Sequence, residues 1–151
     1  MTSRLPSGLT AALITHAHLD HSGLLPKLRK QGYAGPIIAT APTVDLLGWL
    51  LPDSGAIQES EVERLNRRNE QRGRPAVTPI YDRSEAEACA KSLRTAPMDR
   101  WIEVANGVRA RFWNAGHILG STSIELEVMT GNTDKRFLRL LFSGDLGSGH
   151  K

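Results

Sequence analysis

Three of the chain's five histidines and one aspartate fall within the six residues His16-Ala17-His18-Leu19-Asp20-His21. Neutral imidazole and carboxylate are the donors that zinc and related borderline metals prefer, and so dense a run is not ordinary loop composition. Residues two apart on an extended chain point the same way, so His16 and His18 would converge on one ion. Asp20 and His21 follow in a turn, where the backbone can swing them toward a second ion. A zinc ion takes about four ligands, so a metal pair needs more donors than this loop holds. Two distant residues share its setting of a strand followed by a glycine-rich turn: His117 in NAGHILGS and Asp145 in FSGDLG. His150 has no strand before it and reads as a bystander.

The elements that would position these donors can be read from periodicity. Leu9 to Thr15 is a short apolar run without helical spacing, which predicts a buried strand ending where the histidines begin. Ser22 predicts the cap of a helix to about Gln31, with Leu24, Leu25 and Leu28 on one face and Gly32 as the stop. Gly35-Pro36 turns the chain into a strand over Ile37 to Thr40. From Pro42 the spacing of Leu46, Leu47, Leu50 and Leu51 predicts an apolar helical stripe ending at Pro52. A polar helix over Gln58 to Gly73 follows, in which Val62 and Leu65 are the only large apolar residues. Its arginines, Arg64, Arg67, Arg68, Arg72 and Arg74, have the charge to track phosphates, although charged helices without aromatic residues more commonly form solvated surface. Ser84 predicts the cap of a further helix to Leu93, with Cys89 packed as a small apolar residue.

Strands dominate after Pro97. Val108, Ala110 and Phe112 alternate with Arg109, Arg111 and Trp113, and Ile124, Leu126 and Val128 alternate with Glu125 and Glu127, as half-buried strands do. Asn132 to Lys135 would be a turn. The nearly continuous apolar run Phe137 to Phe142 predicts a deeply buried strand that delivers Asp145. Trp49, Trp101 and Trp113 read as packing residues. No internal repeat, low-complexity segment or linker interrupts the chain.

At 151 residues, 40% hydrophobic and 23% charged, the chain has the balance of one globular domain. Its net charge of +3 permits a polyanionic substrate without demanding one. A single cysteine excludes an intramolecular disulfide and any cysteine-based zinc cluster. No run approaches a membrane-spanning helix, and Met1 to Pro6 lacks the apolar core of a secretory signal, so a cytoplasmic protein without membrane association is expected.

HAHLDH resembles the HxHxDH signature of the metallo-β-lactamase superfamily, while AGHILGS and SGDLG, in that order, look like later motifs of its β-CASP branch of nucleic-acid-processing nucleases. The segment from Asp53-Ser54 through Ile57-Gln58-Glu59 is also similar to that branch. The resemblance covers nearly the whole chain and implies an α/β fold, a partial αββα sandwich of sheets flanked by helices. It further implies that His16, His18 and His117 hold one zinc, that Asp20 and His21 hold the other, and that Asp145 bridges them. A hydroxide between the ions would attack an RNA phosphodiester, with Asp20 orienting it, and paired metals suit such an in-line displacement.

Members of the family carry earlier strands before HxHxDH, then a β-CASP domain and a final histidine ligand after the SGDLG motif. The expectation is therefore a partial catalytic domain over residues 1–151, with an incomplete second site, one metal or none when isolated, weak activity, and open sheet edges that favour homo-oligomers. The rival expectations are a thioesterase or lactonase on the same fold, and a non-catalytic metal-binding or interaction module.

Overall fold

The parallel half of the fold grows from three short strands separated by helices. In the computed structural model, which describes residues 8–131 and 136–148, β1 (Ala12–Leu13) is followed by α1 (Leu19–Ser22) and α2 (Leu25–Lys30), then by β2 (Ile37–Thr40). Two further helices, α3 (Ala41–Gln71) and α4 (Arg83–Lys91), lead to β3 (Leu93–Ala96). The strands form a parallel sheet in the order β1-β2-β3. The remainder is an antiparallel meander of β4 (Ile102–Ala105), β5 (Val108–Asn114), β6 (Thr122–Met129) and β7 (Phe137–Phe142).

Alternation along β2 explains how the layers stack. Every residue of this central strand is buried because both of its faces are covered. Ile37 and Ala39 pack with Leu47 and Leu51 of α3 and with Ala86 and Cys89 of α4. Ile38 turns the other way, onto Ala110 and Phe112 of β5 and Ile124 of β6. The order is therefore helices, parallel sheet, antiparallel sheet, three layers of the expected sandwich among the described residues. Burial pushes the Cys89 thiol up to about 11, in keeping with its packing role.

Several expectations change on contact with the structure. The ladder of β1 is confined to Ala12–Leu13, although Ile14 N still donates to Ile38 O at 2.9 Å. Ser22 caps nothing: it closes α1, and a new helix begins at Leu25 with Pro26 in its first turn, where proline's missing N–H costs nothing. Pro52 does not end a helix either, and the two expected helices are one helix of 31 residues. The carbonyl that Pro52 leaves unbonded belongs to Gly48, an exposed residue without a side chain, so water can satisfy that carbonyl. Asp82, not Ser84, caps α4, through a capping box in which Glu85 N donates to Asp82 and Asp82 N donates to Glu85.

β7 occupies its expected residues, but all six are exposed rather than deeply buried. It is the outer strand of its sheet. The tryptophans are not core residues. Trp49 is 82% exposed, and Trp101 and Trp113 stack on the guanidinium of Arg111 at 4.5 and 4.1 Å on the outer face of the antiparallel sheet. The expected turn at Asn132 to Lys135 lies outside the described residues, as does His150.

Candidate metal centre

Strand direction gathers the donors at one end of the sandwich. β5 and β7 both run antiparallel to β6, so their C-terminal ends lie on the same side, beside the start of β6. The end of β1 is tied there by Thr122, whose N and Oγ1 both donate to Thr15 O, at 2.8 and 3.1 Å. One carbonyl thus joins the two sheets where the histidine loop leaves the first.

Four of the six expected residues, His16, His18, His117 and Asp145, gather into one group at this seam, with His21 and then Asp20 beside it. His16 Nε2 lies 3.1 Å from His18 Nδ1, and His117 Nε2 lies 3.2 Å from the same atom. Asp145 faces both ways: its Oδ2 is 3.8 Å from His16 Nε2 and 3.6 Å from His117 Nε2, while its Oδ1 is 3.3 Å from His21 Nε2. His21 Nε2 is in turn 3.6 Å from Asp20 Oδ2. One carboxylate therefore separates a three-histidine group from an Asp20–His21 pair.

The loops are held by short polar side chains and by glycines. Ser22 Oγ donates to His18 O at 2.9 Å, with Ala17 O at 3.1 Å, which tightens the histidine loop from below. Ser121 Oγ accepts from His117 N and Ile118 N. The hydroxyls of Thr40 and Thr43 both donate to Gly120 O, which docks the His117 loop on the start of α3. Gly120 has φ +77°, and a Cβ there would meet Thr43 N at 2.7 Å, so this close approach requires glycine. A Cβ on Gly144 would meet Thr15 Cβ at 2.9 Å, and that packing brings Asp145 against the first loop.

His16 is wholly buried, and burial first, then the neighbouring imidazoles, hold it below the usual histidine pKa despite the opposing effect of Asp145. It is therefore neutral near pH 7, the form that binds metal. Thr15 Oγ1 lies 3.1 Å from His16 Nδ1. With the ring proton on Nδ1 and donated to Thr15, the Nε2 lone pair points into the cluster. Thr15, Ser22 and Ser121 were not singled out as site residues from sequence. Thr15 and Ser121 each stand within four residues of a donor, and only the fold reveals what their hydroxyls reach.

The donor set fits a metal ion. His16, His18, His117 and Asp145 each offer one ligand atom, and the four atoms lie within 4.8 Å of one another. Ligands on a tetrahedral zinc with bonds of about 2.0–2.1 Å stand about 3.3 Å apart, close to the 3.1 and 3.2 Å that separate His18 Nδ1 from His16 Nε2 and His117 Nε2. Asp20, with an exposed side chain, and His21 lie outside this group of four.

Comparison with known proteins agrees with the fold. The profile of the metallo-beta-lactamase superfamily matches residues 2–150, and the chain belongs to that superfamily. It is 34% identical over 137 residues to the transcription termination factor FttA of Methanothermobacter thermautotrophicus, covering 91% of this chain and 19% of that protein. It is 32% identical over 146 residues to Ribonuclease TTHA0252 of Thermus thermophilus, covering 97% of this chain and 28% of the relative. Among solved structures, the subclass B3 metallo-beta-lactamase MEM-A1 superposes with a TM-score of 0.52 at 17% identity, over 88% of this chain and 40% of that one, a likeness of fold. The chain thus spans between about a fifth and three tenths of the length of these two curated relatives. The superfamily and the histidine–aspartate cluster together imply a divalent-metal site. Among the described residues, no helix is long and apolar enough to cross a membrane.

Proposed function

We propose that the chain carries the metal centre of a two-zinc hydrolase of the β-CASP branch that cleaves RNA phosphodiester bonds in the cytoplasm. The observation that carries this reading is the position of Asp145, one oxygen toward His16 and His117 and the other toward His21. That is the disposition of a carboxylate shared between two ions. His16, His18 and His117 would hold the first, Asp20 and His21 the second, and Asp145 both. Bound zinc supplies a nucleophile at neutral pH by lowering the pKa of water, and it offsets charge on the attacking and leaving oxygens. The protein's own part is to keep His16 neutral and dry, to fix its tautomer through Thr15, and to present the Asp20 carboxylate as the acceptor that orients the attacking water. The names of the relatives, a ribonuclease and a transcription termination factor, favour RNA as the polymer. The open edge of β7 is the place where two copies would pair, a contact read by size measurement at two protein concentrations.

The test is elemental analysis of the zinc-supplied chain beside His117→Ala and Asp145→Ala, followed by incubation with a labelled single-stranded RNA. About one or two zinc per chain, reduced by either substitution, with zinc-dependent scission, is expected. Zinc binding with no scission of RNA would turn the reading toward a metal-binding module. A folded chain that takes up no zinc would refute it.

A further inference from the structure

Helix α3 is far longer than the sandwich needs. Its 31 residues span about 46 Å, yet beyond Gly55 the only buried residue is Asn69. Neither apolar cluster includes a residue of its second half. This half projects as an arm, with the returning segment laid against it by side-chain amides instead of an apolar seam. Asn66 Nδ2 donates to Val77 O and Asn66 Oδ1 accepts from Val77 N, each at 2.8 Å, and Asn69 Nδ2 donates to Pro75 O at 3.2 Å. Three polar contacts per turn-back hold a defined shape at little cost in apolar surface.

The charge of the arm is segregated along it. Glu59, Glu61 and Glu63 lie in its first two turns, whereas residues 64–74 at its far end hold five arginines and one glutamate, a net +4 in a chain whose total is +3. Arg64, Arg67, Arg68, Arg72 and Arg74 are all exposed. None of their guanidinium groups has a hydrogen-bond or ion-pair partner among the described residues, whereas Arg83, Arg109, Arg111 and Arg139 are each paired with a glutamate. Arg64, Arg68 and Arg72 are four residues apart, a row spaced about 6 Å along the axis, of the order of the separation between successive phosphates on a single strand. Arg67 and Arg74 flank that row and line a surface depression of about 550 Å³ together with Asn66, Ala76 and the carboxylates of Glu63 and Glu70, so phosphates would be met by the outward row of arginines and not inside the depression. Residues 56–80 contain no Phe, Tyr or Trp. That absence argues against base stacking and leaves the phosphate backbone as the part of a nucleic acid that the arm could hold.

We propose that this arm is an RNA-backbone exosite, binding the phosphates of a single strand outside the metal centre and without regard to base sequence. The choice of RNA rests on the function proposed above; the arm's affinity for a phosphate backbone does not depend on the metal. Binding through five arginines would make log K fall with log salt at a slope of about −3.5, at about 0.7 per neutralised phosphate.

The experiment measures fluorescence anisotropy of a labelled 20-nucleotide oligouridylate with the full chain in EDTA, so that metal and scission play no part, across a salt series. The five-arginine variant, each Arg→Gln, is compared with the parent and with Asp145→Ala, after circular dichroism and melting temperature show that all three are folded. The expected result is binding by the parent and by Asp145→Ala, with at least a tenfold loss and a slope shallower by about 3.5 in the arginine variant. Equal affinity of parent and arginine variant, or no binding by the parent at low salt, would overturn the proposal. Polyglutamate displacing the chain more effectively than oligouridylate does would likewise overturn it, in favour of an acidic protein partner. Failure of zinc-dependent scission with this binding intact would count against the proposed reaction alone.

Discussion

Replacing Thr15 with valine deletes one hydroxyl and leaves its neighbours in place. The carbonyl of residue 15 still accepts from Thr122, and a methyl-bearing Cβ still packs on Gly144. What is lost is the acceptor 3.1 Å from His16 Nδ1. In the metal-free chain the buried ring can respond by moving its proton to Nε2. A metal ion on Nε2 forbids that escape, so the penalty falls on the metal-bound form. A net hydrogen bond contributes about 0.5–1.5 kcal/mol, and a buried donor left without a partner costs about 1–3 kcal/mol. Partners of metal-ligating histidines, when mutated, cost about 10–100-fold in affinity, a range these energies reproduce. The expected result is therefore a Thr15→Val chain that melts close to the parent when metal-free, binds zinc about 10–100-fold more weakly in competition with a chromophoric chelator, and is restored by Thr15→Ser. Affinity within twofold of the parent, or a serine variant as weak as the valine one, would refute the role assigned to the hydroxyl.

Two other outcomes test the scaffold. Phe112 is fully buried between the sheets, so Phe112→Ala should cost about 3–5 kcal/mol in a denaturant titration; a cost under about 1 kcal/mol would mean that the sheets do not pack as described. Glu127 is subject to a burial effect that raises its pKa, but hydrogen bonds from Arg109 and Arg139 prevail and hold it below the usual carboxylate range. Because the unfolded chain then binds the proton more readily, this carboxylate stabilises the fold above the ordinary glutamate pKa and loses that contribution as pH falls through its lowered value. Glu127→Gln should thus lose stability at neutral pH and show a shallower acid dependence, and equal pH profiles for the two proteins would contradict the pairing.

The chemistry was more legible in the sequence than the architecture. Metal donors are rare residue types, and their crowding at 16–21 and their recurrence after glycine-rich strand ends at 117 and 145 survive any uncertainty about element boundaries. β2, β5 and β6 were legible because their periodicity or continuous apolarity follows directly from which faces are covered. Burial of β7 was not, since a continuous apolar run reports what a strand could bury and says nothing of whether a layer lies over it. Pro52 misled for a related reason: its cost depends on whether the carbonyl four residues earlier can find another partner, and at the exposed Gly48 water can be that partner. β3 and β4 are four residues each, too short for alternation to stand out. Ser22 has the chemistry of an N-cap, but its hydroxyl was claimed by the loop before it.

The seam at Thr15 has a further consequence, for how the molecule is held together. His18 and His117 are 99 residues apart in sequence, and they belong to loops that leave different sheets. An ion gripped by both would act as a cross-link between layers, closing a loop whose entropy in the unfolded chain grows only slowly with length but is already substantial at that size. The donors cannot assemble before the sandwich has closed, so binding and closure are one equilibrium. A chelator would then loosen the contact between the two sheets as well as empty the site, and the melting temperature would rise with the logarithm of free metal once the ion is in excess of its dissociation constant.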